Sequence, residues 1–122
     1  MGGTMGDVYT TMGIWAADGA YVRNLRMQAD TGASYSQLPG ALLRDLGWAP
    51  TQSPRRSTLA DGSEVTVALG EVKVRYGEEN LTRLFVFGED GCKPLMGSDT
   101  MQGFGLGVDP VNHTIIDVVA HR

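Results

Sequence analysis

The chain has 122 residues, 42% of them hydrophobic and 20% charged, with a formal net charge of −4. These proportions are ordinary for one globular domain over residues 1–122, and they argue against disorder, a membrane span or an electrostatic footprint for nucleic acid. Cys92 is the only cysteine, which excludes an intramolecular disulfide and fits a reducing, cytoplasmic location, and two histidines, His113 and His121, give no convincing metal-ligand cluster.

Seventeen glycines, five prolines and many short apolar alternations predict a mostly β protein with tight turns. Val8, Thr10, Met12 and Ile14 share one face of a first strand, and Ala17-Asp18-Gly19-Ala20 turns the chain into a second. That strand sets Tyr21, Arg23, Leu25, Met27 and Ala29 on one face. Asp30 follows on the opposite side, where it can point out of the core. Leu42, Leu43 and Leu46 form the stripe of a helix with Pro39 in its first turn and Gly47 at its end. Two longer strands then meet in a hairpin at Asp61-Gly62.

The apolar set shifts from Val65, Val67 and Leu69 to Val72, Val74 and Tyr76, and this parity change predicts a bulge or bend at Gly70-Glu71. Leu84-Phe85-Val86-Phe87 reads as a central strand covered on both faces, followed by a loop from Gly88 to Pro94 in which Cys92 is a packing residue. Leu95-Met96 re-enters the core, and Ser98 and Asp99 are expected to cap a short helix. Val108 to Ile116 closes as a final hairpin.

Ala29-Asp30-Thr31-Gly32-Ala33-Ser34 is the segment with chemical content. A strand end delivers a carboxylate into a turn whose glycine leaves room beside it, although Asp and Gly are also ordinary turn residues. Four pieces in order resemble the retropepsin-like aspartic proteases. They are the strand Tyr21 to Gln28 running into Asp30 to Ser34, the hairpin Leu59 to Val65, Leu95-Met96-Gly97, and Ser98 to Phe104 with the return strand Gly105 to Pro110. The resemblance spans Tyr21 to Asp117.

It implies a single-domain acid protease barrel with one or two short helices and a flap hairpin, working as a homodimer with no cofactor and no metal. The chain holds one Asp-Thr-Gly, so two Asp30 carboxylates, one per subunit, would share a proton and activate water against peptide bonds in extended protein segments. By the same resemblance Thr31 bonds across the dimer, Gly32 lets backbone approach the carboxylate, and Ala33 is the small residue beside it. Ala60, Asp61, Gly62 and Ser63 would form the flap that closes on a peptide, and Met96 and Gly97 would support the loop from below. The family pairs its termini in an interface sheet, which points to Asp7 to Thr11 and Ile115 to Val119, the former within an N-terminal strand and hairpin over 1–20. Three departures stand out: the acidic tip Asp61-Gly62-Ser63, Ser98 where viral members carry arginine, and about thirty residues before Asp30. Two functions are compatible with this pattern: an active endopeptidase, and an inactive dimerisation or peptide-binding module.

Overall fold

A computed structural model describes residues 7–58 and 61–118. Strand β1 (Val8–Trp15) pairs with β2 (Val22–Ala29) as an antiparallel hairpin in unbroken register from Val8↔Ala29 to Trp15↔Val22. Gly19 makes the turn at φ 75°, a conformation that costs glycine little. Alternation puts Met12, Ile14 and Met27 inside with no exposed surface, so the N-terminal section is part of the core.

Short β3 (Ser36–Pro39) leads into helix α1 (Gly40–Asp45), which Gly47 ends at φ 94°. Strand β4 (Gln52–Thr58) pairs with β5 (Glu64–Tyr76), and β5 with β6 (Glu79–Gly88). After β7 (Leu95–Met96) come helix α2 (Ser98–Phe104) and the separate two-stranded sheet of β8 (Leu106–Asp109) and β9 (Thr114–Asp117). The fold is mostly β, with two short helices, as the alternation predicts.

The main sheet has the order β1-β2-β7-β3-β6-β5-β4, and β1 also meets β5 through Gly13↔Arg75 and Ile14↔Val74. Six strands therefore close on themselves, with β4 outside the ring. Gly13 lies at that seam, and a Cβ there would lie 2.5 Å from a methyl carbon of Val22 on β2. Leu38, Leu43, Val72, Val74, Phe85 and Met96 fill the interior with no exposed surface. Burial of side chains this large contributes roughly 1.5–3 kcal/mol each. Strand β5 joins β6 only from Ala68 onward, so Glu64 to Val67 are carried by β4 alone and the β4–β5 hairpin extends past the barrel.

Two sequence expectations fail here. No bulge interrupts β5 at Gly70-Glu71; its ladder with β6 is continuous from Ala68↔Phe87 to Tyr76↔Glu79. The parity change arises because β5 uses both faces: buried Leu69, with half-buried Val65 and Val67 beyond it, lies on one face, while Val72 and Val74 enter the barrel from the other. The register shift falls instead in β4, between Gln52 and Arg55, an interval that contains Pro54 with its missing N–H. Strand β6 is central as expected but is covered fully on one face only: Phe85 and Phe87 are buried, Leu84 and Val86 half-buried. Strand β3, unanticipated, is short enough that only Ser36 and Leu38 mark its inner face.

Candidate active site

Strand β7 lies between β2 and β3, parallel to the first through Gln28↔Leu95 and Ala29↔Met96, antiparallel to the second through Gln37↔Leu95. Strands adjacent in sequence are thus separated in space, and the connection Asp30 to Tyr35 has to cross the end of β7. Gly97 is the residue it crosses. A Cβ at Gly97 would lie 2.5 Å from the carbonyl carbon of Tyr35 and 2.9 Å from the oxygen of Ala33, so only glycine lets the loop sit this low.

Backbone bonds fix the crossing. The Asp30 N–H donates to the Met96 carbonyl at 2.9 Å, and the Ala33 N–H returns to the Asp30 carbonyl at 3.2 Å. At the start of α2 the Ser98 and Asp99 N–H groups donate to the carbonyls of Ala33 and Ser34 at 2.7 and 3.0 Å. The expected side-chain caps are therefore absent: Gly97 occupies the cap position, and the loop's own carbonyls satisfy the free N–H groups of the first turn. Beneath, the Gly97 N–H donates to the Ser36 hydroxyl at 3.0 Å, and that hydroxyl bonds Thr100 Oγ1 at 2.6 Å.

Held this way, the half-buried Asp30 accepts the Gly32 N–H on Oδ1 at 2.9 Å. A side chain on Gly32 would place Cβ 3.3 Å from that oxygen, a tight fit. Thr31 is exposed and Ala33 half-buried beside it. The loop opens onto a cleft of about 390 Å³ whose lining includes Gly32, Ala33, Gln37, Thr58, Val86 and Leu95. A second hollow of about 220 Å³ continues from Gln37 and Val86 to Val65 and Val67 on the β4–β5 hairpin, and Cys92 lines its far side. Burial, reinforced by Glu89 and Asp90, pushes the Cys92 thiol up, as suits a packing residue.

The hairpin tip is described from Asp61 onward; Ala60 lies outside the described residues. Asp61 Oδ1 accepts from the Ser63 hydroxyl at 2.6 Å and from the Ser63 N–H at 2.9 Å, and these bonds, the hydroxyl first, hold its carboxyl below the ordinary range. Gly62 turns the chain at φ 87°. The structure thus brings Asp30, Thr31, Gly32, Ala33, Met96 and Gly97 into one cluster, while Asp61, Gly62 and Ser63 stand at the tip of the hairpin, whose last paired residue before the tip on β4, Thr58, borders the cleft.

Sequence reading missed Ser36 and Thr100 as loop supports, and Gln37, Val86 and Leu95 as cleft lining. The period-two pairing of Ser36 with Leu38, and Thr100 preceding Met101 and Phe104 at helical spacing, are the signals that place the two hydroxyls inside.

The interwoven β2-β7-β3 arrangement, with an Asp-Thr-Gly loop over a glycine, is the retropepsin-like aspartic protease fold. EIAV protease, in its complex with the inhibitor HBY-793, matches 86% of this chain and 94% of its own with a TM-score of 0.61 at 18% sequence identity. No curated protein sequence matches the chain. A family described as Aspartyl protease matches residues 17–100, which include the Asp30 loop, the β4–β5 hairpin and Leu95 to Gly97. The chain belongs to that family.

Proposed function

We propose that two copies of this chain form an aspartic endopeptidase in which the Asp30 carboxylates, one from each subunit, meet about a two-fold axis. The observation that carries this reading is the bracing of the Asp30 loop by β7 and α2 at the mouth of a 390 Å³ cleft. Two carboxylates at hydrogen-bonding distance resist joint ionisation, so one keeps its proton. The ionised member takes a proton from water, the protonated member polarises the scissile carbonyl, and collapse of the tetrahedral intermediate protonates the departing amine. Thr31, exposed in one subunit, fits a partner across the axis.

The hairpin from Ala60 to Ser63 would close over an extended peptide, which adds to it by backbone hydrogen bonds. Two edges left unpaired among the described residues favour self-association. Val8 to Met12 of β1 pair only with β2, and β9 pairs only with β8 among the described residues. The expected interface strand from Ile115 ends at Val119, which lies outside the described residues.

The test is cleavage of unfolded casein and a mixed peptide library between pH 3.5 and 7, comparing wild type with Asp30→Asn, alongside sedimentation. Cleavage that disappears in the variant supports the peptidase. Absent cleavage together with a monomer at micromolar concentration supports instead a peptide-binding module of the same fold.

A further inference from the structure

The wall that carries Asp30 has a second occupied direction. Residues opposite one another in a ladder present side chains on the same face. Register partners Tyr9↔Gln28, Gln28↔Leu95, Leu95↔Gln37 and Gln37↔Val86 therefore form one row across five strands. The residues next to this row along the same strands, Met27, Met96, Leu38 and Phe85, face the core, so the row itself faces out. Leu95, Gln37 and Val86 already line the cleft beside the Asp30 loop. Followed the other way, the same row reaches a hollow of about 230 Å³ lined by Tyr9, Arg26, Gln28, Lys93 and Pro94. Arg26, Gln28 and Asp30 share parity along β2 and its exit, so the hollow lies along the line of the carboxylate.

Its chemistry is unlike the rest of the cleft. Two cations stand there in a chain whose net charge is −4, and the only ion pair among the described residues, Arg56–Glu64, involves neither. Arg26 stacks its guanidinium carbon 4.2 Å from the Tyr9 ring centre. Stacking occupies the face of the guanidinium and leaves its N–H edge free for a carboxylate. The side-chain oxygen of Gln28 is buried with no hydrogen-bond partner, an acceptor waiting for a donor.

We propose that this hollow is a subsite of the cleft that selects an acidic side chain, Asp or Glu, near the bond presented to Asp30. Arg26 and Lys93 receive the carboxylate, and Gln28 accepts a main-chain N–H of the same extended peptide. The proposal rests on the peptidase reading and gives its substrate class: segments carrying a carboxylate close to the cleaved bond, with apolar residues toward Val65, Val67 and Val86.

The experiment uses extended peptides blocked at both ends, so that no terminal carboxylate competes, with Glu, Gln, Leu or Lys at each position around the cut. At pH 6 and low salt, kcat/KM for the best Glu peptide should exceed that of its Gln counterpart about tenfold, the scale of a charge-assisted hydrogen bond. The ratio should shrink with added salt, and again at pH 3.5, where glutamate is largely protonated. In R26E/K93E the preference should invert toward Lys. The same labelled peptides are titrated onto Asp30→Asn by fluorescence anisotropy, which reads the subsite without any cleavage. Selective binding of Glu peptides, lost in R26E/K93E, with no cleavage by wild type would keep the subsite and remove the peptidase. Cleavage with no Glu preference, or neither cleavage nor selective binding, overturns the subsite.

Discussion

The hydroxyls of Ser36 and Thr100 lie 2.6 Å apart, 64 positions apart in sequence, with both side chains fully buried. Ser36 also accepts the Gly97 N–H, so its oxygen joins β3, the end of β7 and α2 directly under the Asp30 loop. Because Ser36→Ala orphans two buried groups and Thr100→Val only one, the first should be the more damaging. We expect Ser36→Ala to cost about 2–3 kcal/mol and Thr100→Val about 1 kcal/mol. Urea denaturation of both variants checks this; equal or reversed losses would refute the shared-acceptor account.

Two glycines of the site should fail in different ways. Gly97→Ala drives a methyl against the backbone of Tyr35 and Ala33, so it should lose about 1–3 kcal/mol of stability together with activity. Gly32→Ala meets only the Asp30 carboxylate oxygen at 3.3 Å, so kcat/KM should fall while the melting temperature stays near that of wild type. Thermal melts set against peptide kinetics separate the two. A Gly97→Ala protein with normal stability would contradict the crossing geometry.

Asp109 organises the β8–β9 turn, accepting the N–H groups of Val111 and Asn112 on Oδ1 and the Asn112 side-chain amide on Oδ2. The Asn112 side chain first, then these backbone bonds, lower its carboxyl below the ordinary value of 3.8. A depressed folded-state value means the carboxylate's contribution is fully present above the ordinary value and is lost as pH falls through the folded one. Asp109→Ala should therefore destabilise the protein at pH 6 and have a much smaller effect near pH 2. A side-chain carboxyl NMR titration with a midpoint at or above 3.8 would rule this out.

If the site is built from two subunits, mixing reveals it. Adding an equal amount of Asp30→Asn chain to wild type, under exchange, should leave about half the original activity, since only about a quarter of randomly assorted dimers keep both carboxylates. Activity unaffected by the added chain would place the whole site within one subunit.

Much of the fold was legible because alternation is a local signal. Met12, Ile14 and Met27 announce their faces by parity, and Asp18-Gly19, Asp61-Gly62 and Gly47 announce their turns. The Asp30 loop and Leu95-Met96-Gly97 were legible as motifs. Their interlocking was not, because no spacing tells a reader that β7 inserts between two strands made more than fifty residues earlier. The same blindness produced the errors at Gly70 and Ser98. The parity change in β5 records a strand buried first on one face and then on the other, and the first turn of α2 is satisfied by a distant loop in place of its own side chains. The cationic hollow escaped notice because Arg26 and Lys93 are scattered charges until β2 and β7 lie side by side.

The insertion of β7 also sets a schedule for synthesis. Asp30 and Ser36 are made well before Gly97, whose bond to Ser36 closes a span of 61 positions, and α2 comes later still. A nascent chain therefore displays the Asp-Thr-Gly segment long before anything can hold it in shape, and non-local pairings of this kind assemble slowly. Fragments that stop short of Leu95 have the carboxylate without its brace, so the Asp30 loop cannot take its shape until β7 and α2 have been made.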